Sequence, residues 1–252
     1  MDTNAEAFWI QKAGSSADEY EDAFFPDVLA TTPQPCSRVA VADGATESSF
    51  SGIWARLLVK GFVDHGSGDD DIDALLAEVQ PQWAERVGHR ELPWYAEEKA
   101  QAGAFSSLLG LTLRGGFGTE EPLRWRAAAV GDSCLIQVRG ESVITRFPLE
   151  HSSQFDSAPL LLPSRPIHNA SVRERVLTAH GHAQCDDSFY LMTDALARWF
   201  MSEDESAKRP WQVLRDLNTQ DQRESFVEMI ERLRAVHEIK NDDCTLVRLD
   251  IF

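Results

Sequence analysis

An α+β fold, with helices laid over antiparallel sheets, is what the sequence predicts, and three observations carry it. Strand-like runs open the chain, two helix-period segments follow, and a β-rich meander then gives way to further helices and a last strand. Blocks of strands and helices, rather than strict βαβ alternation, point to antiparallel sheets covered by helices. No internal repeat or composition shift marks a boundary, so one domain over residues 1–252 is expected.

Each element has its own local reason. Ala7-Phe8-Trp9-Ile10 is a short apolar run closed by the turn-rich Ala13-Gly14-Ser15-Ser16. Ala23-Phe24-Phe25 and Val28-Leu29-Ala30 lie on either side of the breaker Pro26-Asp27. Arg38-Val39-Ala40-Val41-Ala42 reads as a buried strand and stops at Asp43-Gly44. Ser51 to Phe62 places Ile53, Trp54, Leu57, Leu58 and Phe62 at helical spacing, and Asp73 to Val87 repeats the pattern. Between them, Gly66-Ser67-Gly68-Asp69-Asp70-Asp71 lacks the alternating ligands, central Gly and closing Glu of an EF-hand loop. It reads as a solvated linker ending in a helix N-cap.

From Ala104 the pattern is β. Leu108 to Leu113, Leu123 to Val130, Cys134 to Val138 and Val143 to Phe147 are strands separated by turns. Gly115-Gly116-Phe117-Gly118 has no Lys-Ser/Thr after it and strands on both sides, so it reads as a hairpin turn, not a phosphate loop. Residues 148–170 form a long loop carrying Pro148, Pro159, Pro163 and Pro166, a length uncommon without a function. Strands are expected at Val172 to Ala179 and Ser188 to Thr193. Helices are expected at Ala195 to Phe200, Trp211 to Leu217 and Ser225 to Val236, and a final strand at Cys244 to Ile251.

Composition narrows the function. Lys and Arg number 24 against 41 Asp and Glu, a net charge of −17. Such a surface repels phosphate backbones and anionic membranes, which argues against nucleic-acid and membrane partners. No run approaches the roughly 20 apolar residues of a membrane span. The acidic start Met1-Asp2-Thr3-Asn4-Ala5-Glu6 has no signal-peptide character. Cys36, Cys134, Cys185 and Cys244 form no CxxC pair, and three of the four sit in apolar or strand-like surroundings. A cytoplasmic protein is expected. His180-Gly181-His182 has no third ligand nearby and reads as a surface pair. Trp54, Trp83, Trp94 and Trp199 fall on or beside helices and read as packing anchors.

The chemistry is carried by acidic residues beside apolar runs. Glu21-Asp22 precede Ala23-Phe24-Phe25, Asp43 follows Val39 to Ala42, and Asp132 follows Ala127 to Gly131. Asp194 follows Phe189 to Thr193, and Asp242-Asp243 precede Cys244 to Val247. Carboxylates at strand ends are rigidly aimed. Packed together, they do not all stay ionised without cations between them. Hard divalent ions, Mg²⁺ or Mn²⁺, suit all-oxygen ligands. Taken alone, any one of these residues is simply a turn cap.

As an ordered set, the segments resemble the PPM/PP2C family of metal-dependent Ser/Thr protein phosphatases, in its bacterial-type, divergent form. The counterparts of its motifs are Glu21-Asp22-Ala23-Phe24-Phe25, Val41-Ala42-Asp43-Gly44, Val130-Gly131-Asp132-Ser133, Met192-Thr193-Asp194-Ala195-Leu196 and Asn241-Asp242-Asp243-Cys244-Thr245. Gly103-Ala104-Phe105-Ser106 matches a Gly-Ser/Thr helix start, and Glu150-His151-Ser152 resembles the Asp-His-Ser that follows the family's central hairpin. The resemblance runs from about residue 6 to the C-terminus and implies a four-layer α-β-β-α sandwich.

It also implies roles. Asp43 would bridge two Mn²⁺ or Mg²⁺ ions, with the Gly44 carbonyl at one of them. Asp194 and Asp242 would bind the first ion, and Glu21 would hold waters of the second. Asp22 would orient the attacking water, so that Asp22 and Asp43 are the catalytic pair. Asp132 would belong to a third, weaker ion site. The implied activity is hydrolysis of phosphoserine or phosphothreonine in a phosphoprotein, a signalling role with a cognate Ser/Thr kinase as a second expected partner. The competing readings are a catalytically weak module of the same fold that binds a partner, and a small-molecule phosphoesterase. The chain departs from the family pattern in several places. Ala45-Thr46-Glu47 follow Asp43-Gly44, Ala195 replaces a Gly, and no His or N-terminal Arg stands where some members have them. Asp243 replaces an Asn, which is expected to bring negative charge near the incoming phosphate.

Overall fold

In the computed structural model of the protein, the described residues are 2–26, 38–46, 48, 50–64, 71–89, 102–115, 122–155, 159–172, 175–217 and 223–252. Val28-Leu29-Ala30, Cys36, Glu47, Trp94, Gly66 to Asp70 and Gly116 to Gly118 lie outside them.

Two five-stranded sheets dominate. The first joins β1 (Thr3–Ile10), β12 (Cys244–Ile251), β11 (Asp187–Met192), β7 (Cys134–Arg139) and β8 (Ser142–Phe147), in that spatial order. The second joins β10 (Leu177–His182), β6 (Arg124–Val130), β5 (Leu108–Arg114), β3 (Arg38–Ala42) and β2 (Ala23–Phe25). A two-stranded ribbon pairs β4 (Phe105–Ser106) with β9 (Leu162–Pro163). Among the described residues every strand pairing is antiparallel.

Strand alternation explains the layers. In β3, Val39 and Val41 face the partner sheet while Ala40 and Ala42 face helices, so both faces are apolar and fully buried. Val39, Val41, Leu109, Leu111 and Trp125 meet Leu135, Phe189, Leu191, Val247 and Leu249 between the sheets. Helices α1 (Ser51–Asp64) and α2 (Ile72–Gly88) cover the outer face of the second sheet through Trp54, Leu57, Leu58, Leu76 and Trp83. Helices α3 (Asp194–Glu205), α4 (Pro210–Arg215) and α5 (Arg223–Ala235) cover the first sheet through Leu196, Trp199, Phe200, Trp211, Phe226 and Ile230. The result is the expected α-β-β-α order, with Trp54, Trp83 and Trp199 as packing anchors. Among the described residues no helix is long and apolar enough to cross a membrane. Cys134 and Cys244 are buried and Cys185 is exposed. Asp71 caps α2, its Oδ1 accepting from Ala74 N at 2.9 Å.

Three expectations shift. The strand expected at Val172 to Ala179 is instead β10, Leu177–His182, because a 3₁₀ turn at Pro166–Ser171 holds the preceding chain. Pairing with Arg124 to Ala129 selects the later residues, and His180 and His182 point outward, exposed. Phe105–Ser106 is a strand, not a helix start, because Ser106 and Ser107 are bonded to Asp43. The segment 148–170 is not a plain loop. Trp54 Nε1 donates to Leu162 O at 2.9 Å, and Gln80 Nε2 donates to Pro163 O at 3.0 Å. These bonds tie its second half to α1 and α2.

The close fit of α1 onto its sheet depends on Gly110. A Cβ there would lie 2.2 Å from Phe62 Cζ. Gly110→Ala is expected to lower stability by about 1–3 kcal/mol through this overlap. Adding Phe62→Leu should return part of the loss, measured as the urea midpoint of both proteins. If Gly110→Ala alone leaves the midpoint unchanged, the ring is not fixed against the strand.

Candidate active site

Strand register gathers the acidic residues. Ala23 pairs with Ala42, so Asp22 and Asp43 sit at the same end of the second sheet. Val41 pairs with Leu109, and Leu108 with Val130, which brings the turn holding Asp132 to that end as well. That turn crosses to the first sheet, where Cys134 pairs with Met192 and Met192 with Leu246. Asp194 and Asp242, next to those pairs, therefore meet the others. Positions as far apart in sequence as 22 and 242 come together because each sheet end is a fixed row of strand termini.

The backbone around each is tightly bonded. Asp43 N donates to Ser107 Oγ at 2.9 Å, while its carbonyl accepts from Ser107 N and Ser106 Oγ, both at 2.8 Å. Ser107 Oγ in turn meets Ser133 Oγ at 2.7 Å, beside Asp132. Gly44 is in contact with the segment before β2. A Cβ there would lie 2.7 Å from Glu21 O and 2.9 Å from Ser51 C, so only glycine fits. Glu21 is held at the rim, where its Oε1 accepts from Ser51 Oγ at 2.5 Å and its Oε2 is 3.7 Å from Lys12 Nζ.

Asp22 is buried. Its Oδ2 accepts from Thr245 Oγ1 at 2.6 Å and from Thr193 Oγ1 at 3.1 Å. The Thr245 hydroxyl has one proton, directed at Asp22, so the Tyr20 hydroxyl donates to Thr245. Asp22 Oδ1 has no partner among the described residues.

The carboxyls raise one another's proton affinity. Burial is the first cause for Asp22, which is pushed well above the usual carboxylate range, with Asp243 and Asp194 adding to it. Asp43 is pushed well up by burial and then by Asp22, Asp194, Asp132 and Asp242. Burial, with the Asp194 charge behind it, raises Asp132 to about 7. Asp194 is raised by burial, against the pull of Lys240.

This donor set suits a hard divalent cation. It is all oxygen, it is desolvated, it repels itself, and it includes one buried carboxylate oxygen without a partner. Among the described residues, no three His, Cys, Asp or Glu side chains are spaced to grip one ion as they stand. An ammonium lies beside two of the carboxylates. Lys240 Nζ lies 2.6 Å from Asp242 Oδ2 and 3.5 Å from Asp194 Oδ2.

Asp243, expected near an incoming phosphate, has its carboxylate turned into the fold and engaged by backbone. It is buried, and both its oxygens accept backbone N–H groups, Lys12 N at 2.8 Å and Glu21 N at 2.7 Å. It clamps the segment between β1 and β2 against the start of β12. Asn241 helps from the next turn, bonding both N and O of Ala13.

A sequence profile of the family described as Protein phosphatase 2C matches residues 16–241. The chain belongs to that family. Among solved structures, the PP2C fold recurs in the serine/threonine phosphatase PstP/Ppp of Mycobacterium tuberculosis, with a TM-score of 0.62 at 16% identity, covering 100% of this chain and 99% of that one. A PstP catalytic domain in complex with two manganese ions gives a TM-score of 0.60 at 16% identity, covering 99% of this chain and 98% of that one. PppA of Pseudomonas aeruginosa gives a TM-score of 0.57 at 18% identity, covering 100% and 99%. Among curated proteins no sequence matches the chain.

Some residues of this candidate site carry little signal in the sequence. Thr193 and Thr245 stand one to three positions from Asp194 and Asp242, which is the signal that was available for them. Ser107 and Ser51 carry no such signal, because their partners Asp43 and Glu21 are brought to them only by folding. Lys240 sits two residues before Asp242 and reads as an ordinary surface lysine.

Two outcomes are expected. An amide at 243 offers one acceptor where two N–H groups converge, so Asp243→Asn should lower the stability of the metal-free protein by about 1–3 kcal/mol. An unchanged urea midpoint would mean that the clamp contributes nothing. The second outcome concerns pH. The site carboxyls have folded-state pKa values above their unfolded ones, Asp132 reaching about 7. The folded metal-free protein therefore binds the extra protons, and its stability should fall as pH rises from about 4 to about 7. Denaturation of chelator-treated protein at several pH values checks this, and Asp132→Asn should flatten the slope. A rise in stability over that interval would contradict the assigned shifts.

Proposed function

We propose that the chain, as one domain over residues 1–252, is a metal-dependent protein serine/threonine phosphatase. The observation that carries this reading is the cluster of mutually repelling carboxylates Asp22, Asp43, Asp132 and Asp194, buried or partly buried, which four separate segments bring to one end of the sandwich with Asp242 beside them. Asp43, Asp194 and Asp242 would hold the ions, Mn²⁺ or Mg²⁺, with the Gly44 carbonyl and Glu21 completing the set through water. Asp132 would serve a third position. Two such ions supply an acidified water and neutralise the charge of a phosphoryl group.

The chain's own residues then have distinct tasks. Asp22, fixed on its Oδ2 side by Thr193 and Thr245, presents Oδ1 as the acceptor that orients an attacking water. The serine relay through Ser107 and Ser133 holds the backbone of Asp43 in line with Asp132. Proposed substrates are phosphoserine and phosphothreonine in proteins, with a Ser/Thr kinase acting on the same target. The segment 148–170 is the proposed substrate-contacting flap, and it presents Leu160 and Ile167 to solvent, with Ile167 80% exposed. PstP/Ppp is a serine/threonine phosphatase and one PstP structure is a complex with two manganese ions, and both support the reading.

Manganese or magnesium is expected to raise the melting temperature, because an ion that binds only the folded state stabilises it by mass action. The same ions should switch on hydrolysis of p-nitrophenyl phosphate and of phosphopeptides. Asp43→Asn should blunt the thermal shift, and Asp242→Asn should abolish turnover. A melting temperature indifferent to millimolar metal, together with no turnover, would sink the proposal. Hydrolysis of p-nitrophenyl phosphate without any phosphopeptide would favour a small-molecule substrate.

A further inference from the structure

Lys240 occupies a place that the phosphatase reading does not use. It lies in the turn between α5 and β12, and its ammonium spans two carboxylates, 2.6 Å from Asp242 Oδ2 and 3.5 Å from Asp194 Oδ2. Those carboxylates come from different segments, Asp194 from the start of α3 and Asp242 from the turn that leads into β12. The other oxygen of each is engaged locally. Asp194 Oδ1 accepts from Ala195 N at 2.5 Å, and Asp242 Oδ1 accepts from Asp243 N at 3.1 Å. The two Oδ2 atoms left for a cation are the two that the ammonium touches.

The surroundings make this cation removable. The turn's backbone is fixed without help from the lysine side chain. Arg234 donates to the Asp242 carbonyl at 2.6 Å and to Gln11 O at 3.1 Å, and Asn241 is bonded to Ala13. The Lys240 side chain itself is 58% exposed. A hydrated ammonium on a flexible four-carbon stem can swing into water while Asp242 stays in position.

We propose that Lys240 is a built-in, displaceable counter-cation that competes with the divalent ion for Asp194 and Asp242, and so sets the metal concentration at which the centre loads. The inference rests on the metal-centre reading of the same carboxylates. In the metal-free protein the ammonium offsets the repulsion between Asp194 and Asp242. Loading the ion requires that ion pair to break, so the apparent metal affinity is lower than the carboxylates alone would give. Metal binding and the position of the lysine are linked, and each opposes the other.

The test is isothermal titration of Mn²⁺ into the metal-stripped full chain, as wild type, Lys240→Gln, Lys240→Met and Lys240→Arg. Removing the charge should tighten Mn²⁺ binding by about tenfold. Lys240→Gln and Lys240→Met should agree, because charge and not stem length is the cause. Lys240→Arg should bind as weakly as wild type or more weakly. Without metal, the two neutral variants should melt below wild type, and their rise on adding Mn²⁺ should be larger. A purely structural lysine would lower the metal-free melting temperature and leave Mn²⁺ affinity unmoved. Near-UV circular dichroism checks that each variant is folded, and either neutral variant suffices. Equal or weaker Mn²⁺ binding in a folded neutral variant overturns the inference and leaves the metal centre standing. No Mn²⁺ binding in wild type or variants overturns the metal centre, and the inference with it.

Discussion

Repulsion among desolvated carboxylates is the constraint around which this end of the molecule is organised. Asp22, Asp43, Asp132 and Asp194 are each pushed toward protonation, by burial first and by their acidic neighbours next. Such an arrangement is costly unless something offsets it. The sandwich tolerates it because its large apolar layers lie elsewhere, between the sheets and under the two sets of helices. The polar compensation is local. Threonine hydroxyls reach Asp22, an ammonium reaches Asp194 and Asp242, and the deficit that remains is what the proposed divalent ions would offset.

A second consequence is that the acidic residues divide into two kinds. Those whose oxygens are fully taken up by backbone N–H groups are structural. Asp243 is the clear case, with one oxygen for Lys12 N and the other for Glu21 N. Those left with an unsatisfied oxygen or a removable partner are suited to function. Asp22 keeps Oδ1 unpartnered, and Asp194 and Asp242 are bridged by a half-exposed lysine. Neighbours in sequence thus have opposite tasks, as Asp242 and Asp243 show: Asp243 meets the backbone N–H groups of Lys12 and Glu21, while Asp242 Oδ2 meets the Lys240 ammonium.

Much of the fold was legible in local pattern. The helices α1, α2 and α5 follow apolar spacing, and the alternation of Val39 and Val41 with Ala40 and Ala42 foretells a strand covered on both faces. What failed was set by partners distant in the chain. Leu177–His182 became a strand because the edge of β6 was there to pair with it, although its own residues are mostly exposed. Phe105–Ser106 became extended because Asp43 offered hydrogen bonds and Leu162–Pro163 offered a ladder. The segment after Pro148 acquired order through Trp54 and Gln80, side chains on helices far away in sequence.

The acidic residues themselves, their positions at strand ends and the order of their motifs were determined by the sequence alone, since turn chemistry and apolar runs are local properties. The family followed from that order. Only the tertiary structure decided which oxygens remain available. It turned Asp243 into a clamp, wired Asp43 to Ser107 and Ser133, closed Thr193 and Thr245 over Asp22, and set Lys240 between Asp194 and Asp242. The physical reason is that hydrogen bonds and ion pairs at this site join residues up to 231 positions apart. No local pattern encodes such a pairing. It exists only once two antiparallel sheets have brought their strand ends to one edge.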